Sequence, residues 1–61
     1  MKTMKITREQ AIAQLNADRK MEQEMSNSFY SMRISQLMDI LQFGHGYFSI
    51  FVNELVDVEI I

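Results

Sequence analysis

A chain of 61 residues has room for one small domain, and at this length only about 60% of the unfolded chain's surface leaves water on folding. It carries no cysteine and a single histidine, which excludes a disulfide framework and a thiolate zinc site and leaves no ligand set for a structural metal. Six basic residues against eight acidic ones give a net charge of −2, without the clustered Lys and Arg that neutralise phosphates, so nucleic acid is not the expected partner.

A hydrophobic fraction of 48%, with no proline and two glycines, describes regular folded elements rather than a disordered chain. A core this small contributes only roughly 3–5 kcal/mol by itself. With disulfide and metal excluded, the remaining stabiliser is self-association or a protein partner, and a homo-oligomer, most simply a homodimer, is expected. The basic start (Lys2, Lys5) runs straight into polar residues, unlike a secretory signal. The longest apolar stretch, Tyr47 to Val52, is broken by Ser49 and is far short of the ~20 residues that span a bilayer. A cytoplasmic protein with no membrane partner is therefore expected.

Residues 1–6 alternate loosely, with Met4 and Ile6 on one side and Thr3 and Lys5 on the other. This fits a short strand or a flexible arm. Thr7-Arg8-Glu9-Gln10 has the form of a capping box, in which Thr7 and Gln10 satisfy one another's backbone N–H groups. The strong helix formers that follow predict a helix over 7–25. Its apolar stripe is thin and drifts, through Ile12 and Leu15 on one line and Ala17, Met21 and Met25 on another. The polar run from Asn16 to Glu24 reads as a solvated face.

Ser26-Asn27-Ser28 breaks that helix and offers N-cap residues for the next. Over 28–43 the helical period is strong. Tyr30, Ile34, Leu37, Met38 and Leu41 fall on one face, widened by Phe29, Met32, Ile40 and Phe43. Arg33, Gln36 and Asp39 fall on the polar side. This is the expected core helix, and Gly44 suits the left-handed position that closes it.

After Gly44-His45-Gly46 the period changes to two. Val56, Val58 and Ile60 alternate with Asp57 and Glu59, and Tyr47 to Val52 is aromatic and β-branched. A β-hairpin over 47–61 is expected, with Asn53-Glu54 as its loop and Gly46 letting the chain turn back. A third helix across Tyr47 to Val56 is the competing reading. The fold class is therefore α+β, two N-terminal helices packed on a C-terminal β-hairpin, with an all-α three-helix chain as the alternative.

If Val52 pairs with Leu55, one ribbon side holds Tyr47, Phe51, Val56, Val58 and Ile60. The other side then holds Phe48, Ile50, Val52 and Leu55. Two helices can cover only the first side. Phe48, Ile50, Val52 and Leu55 are then left for a partner, with Val58 and Ile60 at a ribbon edge open to strand addition.

No phosphate loop, dinucleotide glycine pattern, zinc spacing or nucleophile elbow is present. His45, between two glycines, has no second histidine or cysteine to ligate with. Asp39 and Glu54 are partners for it only by elimination, and a polar turn residue is the simpler reading. No catalytic residue, metal or cofactor is expected, and no small-molecule substrate. The six methionines suit an adaptable interface as well as a loose core.

The leading functional expectation is a small non-enzymatic protein-interaction module, a regulator or inhibitor that occupies a partner's surface. Its size and character are those of products that phages and mobile elements direct at host proteins. The alternative is a dimeric DNA-binding repressor, since a short strand followed by two helices is superficially similar to the ribbon-helix-helix order. Lys2, Thr3 and Lys5 would then read the DNA.

Overall fold

In the computed structural model, which describes residues 2–61, two helices pack on one face of a three-stranded sheet. The elements are β1 (Thr3–Ile6), α1 (Arg8–Met25), α2 (Ser28–Phe43), β2 (His45–Phe51) and β3 (Glu54–Ile60). The α+β class and the packing of two helices on C-terminal strands are as expected, and Thr3–Ile6 is a strand of the sheet.

The local signals act where the sequence places them. Thr7 caps α1, its hydroxyl accepting from the Gln10 N–H at 3.1 Å while Gln10 Oε1 accepts from the Thr7 N–H at 2.9 Å. Two orphan donors at the helix start are thereby satisfied. Asn27 caps α2 by accepting from the Phe29 N–H at 2.9 Å. Gly44 ends α2 at φ 83°, its N–H donating to the Ile40 carbonyl at 2.8 Å. Ser26 closes α1 in the same left-handed region, at φ 49°, without the freedom of a glycine.

The sheet order is β1-β3-β2, with β1 parallel and β2 antiparallel to the central β3. This corrects the expected ribbon in three respects. The closing pair of the hairpin is Phe51 with Glu54, so Val52 and Asn53 form the loop rather than Asn53 and Glu54. Below it the register is Ser49 opposite Leu55, Phe48 opposite Val56 and Tyr47 opposite Asp57. The irregularity between Ser49 and Phe51 leaves Ile50 as the extra residue.

One extra residue in a strand exchanges the faces of everything beyond it. Phe48 therefore lies on the same side as Val56 and Val58, not opposite to them. The third correction concerns the ribbon edge. Both sides of β3 are occupied, because Thr3, Met4, Lys5 and Ile6 pair with Asp57, Val58, Glu59 and Ile60.

The core lies between the inner sheet face and α2. Leu15, Leu37, Ile40, Phe48, Val56 and Val58 are buried together, with Ile6, Ile34, Leu41, Ile50 and Ile60 packed around them. Gly46 sits within β2, and its role is close approach rather than a turn. A Cβ built there would stand 3.0 Å from Ile40 Cγ1, so the missing side chain is what lets α2 settle onto β2. The buried line of α2 runs through Leu37 and Ile40, while Met32, Met38 and Phe43 of the expected apolar face are exposed.

Candidate functional site

Three places gather side chains that can do something other than fill the core. The first is the hairpin end. Val52 is 82% exposed, Phe51 64%, Tyr47 56% and Leu55 45%. The register places Phe51 and Val52 at the hairpin tip beside the Phe51–Glu54 closing pair, and makes Tyr47 and Leu55 diagonal neighbours on the other side of the ribbon, across the Tyr47–Asp57 and Ser49–Leu55 rungs. Isolated apolar residues on a surface are ordinary, whereas several gathered on one hairpin offer a contact site.

The residues singled out from the sequence divide between surface and core. Phe48 and Val58 are buried, and Ile50 and Ile60 are half-buried against the core. Val52 and Leu55 are exposed. The six do not form one surface. Tyr47, which the expected register assigns to the helix-covered side, instead shares the outer side with Leu55, while Phe51 stays on the side of its partner Glu54 and is exposed at the hairpin tip. The edge holding Val58 and Ile60 is closed by β1.

The second place is the junction of the two helices with the sheet. Asp18 of α1 is only 2% exposed, and its Oδ2 lies 3.0 Å from Arg33 Nε of α2. Its Oδ1 accepts from Gln14 Nε2 at 3.0 Å. The Arg33–Asp18 contact lacks hydrogen-bond alignment, since neither Oδ2 nor Nε has a hydrogen-bond partner. The guanidinium also lies over aromatic rings, 4.5 Å from the Phe48 centroid and 5.5 Å from that of Phe29, within the range of cation–π attraction.

Arg33 further lines a cleft of about 540 Å³ between α1 and the inner sheet face. The cleft exists because α1 packs along α2 and makes little contact with the sheet. Its line toward the strands is Gln10, Ala13, Gln14 and Ala17, too short to reach the floor.

From the sequence, Asp18 and Arg33 fall on the polar sides of their helices. The signal that identifies them is their spacing. Ala11, Leu15 and Asp18 lie at i, i+4 and i+7, and so do Arg33, Leu37 and Ile40. Each buried helix line thus ends or begins on a charge, and the two charges are opposite. Gln36 is a second such residue. Its Oε1 accepts from the Ser49 N–H at 2.8 Å and its Nε2 donates to Ser49 Oγ at 3.1 Å. One side chain occupies the irregular point of the β2 edge, where another strand would otherwise add.

The third place is a shallower groove of about 420 Å³ beside His45, lined also by Asp39, Phe43 and Tyr47. His45 is exposed and stands opposite Glu59 across the ladder, with Lys5 on the far side of that same glutamate. Among the described residues no three His, Cys, Asp or Glu side chains converge on a point that would hold a metal ion. Among the described residues no helix is long and apolar enough to cross a membrane. Comparison with protein families, with curated proteins and with solved structures found no match for this chain.

Proposed function

We propose that this protein is a small non-enzymatic interaction module that regulates or inhibits a protein partner by covering part of its surface, with the hairpin end as its point of contact. The observation that supports this is the exposure of Tyr47, Phe51, Val52 and Leu55 on one hairpin, away from the buried cluster that α2 covers. Aromatic and branched side chains held on a short hairpin lose little conformational freedom on binding, which suits them to the centre of an interface. The partner is another protein, or a second copy of this chain in a homo-oligomer. The ribbon-helix-helix reading draws less support, because β1 is already paired along β3 and Lys5 stands opposite Glu59.

The test is the Phe51→Ser/Val52→Thr double variant, compared with the parent protein by sedimentation across a concentration series and by affinity capture from lysate of the native host. The expected outcome is that the parent associates with itself or retains a defined protein, and that the variant loses that association while keeping its circular dichroism. A parent that stays monomeric and captures nothing the variant does not would refute the reading.

A further inference from the structure

The cleft between α1 and the sheet is independent of the hairpin end and has a chemistry of its own. Its roof is made of small side chains, Ala13 and Ala17, one turn apart on the helix line that faces the strands. A helix that closed the core would carry Leu or Ile at those positions. Its floor is wholly apolar and includes Phe48, Ile50 and Val58, with Leu37 at the α2 end. The volume of about 540 Å³ lies within the ~300–1,000 Å³ of small-molecule sites. Leu37 and Val58 line it while remaining 1% and 2% exposed. Only the margins of Leu37 and Val58 are thus reached from the cleft, and its apolar floor gives a methylene chain a surface to lie along.

The polar groups that line it are Gln10, Gln14 and Arg33, with no carboxylate among them. Gln10 uses its Oε1 on the Thr7 N–H, which leaves its amide N–H₂ as a donor. Arg33 presents Nε to Asp18, and its four remaining N–H donors are on the terminal nitrogens, where a guanidinium can take a second anion side-on. Gln14 spends an amide N–H on Asp18 Oδ1, so the groups that favour an anion are the Gln10 amide and the terminal nitrogens of Arg33, and with apolar walls and no lining carboxylate they complement one kind of molecule. We propose that this cleft binds a single-chain amphiphile with an anionic head, an unbranched carboxylate whose chain lies under Ala13 and Ala17 and whose head meets Arg33.

The probe is decanoate below its micellar concentration, titrated into ¹⁵N-labelled protein. The expected result is saturable shifts at the Ala13, Ala17 and Ile50 amides. Decyltrimethylammonium, with the same chain and the opposite charge, should bind more weakly by about tenfold or more, the factor that ~1.4 kcal/mol represents. Ala17→Leu fills the roof with a good helix former and should abolish the shifts at unchanged circular dichroism. Ala13→Leu does the same independently should the first variant fail to fold.

Anionic phosphatidylglycerol vesicles separate a free acid from a lipid surface as the source of the ligand. Vesicle binding that survives Ala17→Leu but is lost on Phe51→Ser, without binding of free decanoate, overturns the proposal in favour of the hairpin end. Absence of saturable shifts, equal affinity for the cationic probe, or indifference to both leucine variants overturns it outright.

Discussion

Asp18 and Arg33 show how much one residue's neighbours decide. A carboxylate taken almost wholly out of water is costly unless a cation and hydrogen bonds replace the water. Here Gln14 supplies a hydrogen bond and Arg33 supplies the charge. The imperfect alignment of that pair leaves attraction without a well-made hydrogen bond, so the pair is better read as joining α1 to α2 than as a large net stabiliser. Removing one partner is a different matter. Arg33→Met strands the Asp18 charge in the core, and a loss of about 3–5 kcal/mol is expected in urea denaturation. The Asp18→Leu/Arg33→Met double variant should recover most of that loss. If the double variant is no more stable than the single, the pair is not the unit described here.

At the scale of elements, the two helices end differently although both end in the left-handed region. Gly44 is free to adopt its φ of 83°, whereas Ser26 at φ 49° bears a Cβ against the following peptide. Ser26→Gly is therefore expected to raise stability by up to about 1 kcal/mol, a rise in the thermal midpoint that calorimetry reads directly. The larger unfolded-state entropy of glycine offsets part of the gain. An unchanged or lower midpoint would mean that the left-handed serine carries no strain. Between the elements, a second tie joins α1 to α2 where the Ser31 hydroxyl donates to the Glu22 carboxylate. These polar ties lie along the α1–α2 contact, and among the described residues α1 lies much closer to α2 than to the sheet. The cleft is the consequence.

At the scale of the whole molecule, the fold is thin, 30 × 24 × 14 Å, with helices on one face of the sheet. Closure of the sheet depends on β1. Its pairing with β3 places Lys5 and Thr3 at the edge and covers the backbone of Asp57 to Ile60, which would otherwise be a strand open to addition. Deleting residues 2–5 is expected to convert the protein to a concentration-dependent associating species, visible as a rising mass in sedimentation. A truncated chain that stays at the mass of the parent would show that β1 does not guard this edge.

What the sequence determines by itself is local. The capping box at Thr7, the Asn27 cap, the Gly44 terminus and the change from helical to twofold period all act within a few residues, so they are legible without knowing the rest of the chain. The α+β class follows from them. The tertiary structure alone decides register and face, because these depend on partners distant in sequence. A single extra residue at Ile50 turns Phe48 inward and Tyr47 outward. The buried Asp18 and Arg33 are acceptable only because each meets the other, and the alanines of α1 become a roof only when the sheet lies beneath them. The hairpin was expected, but which of its side chains face outward was decided by pairing with Val56 and Val58 in the core.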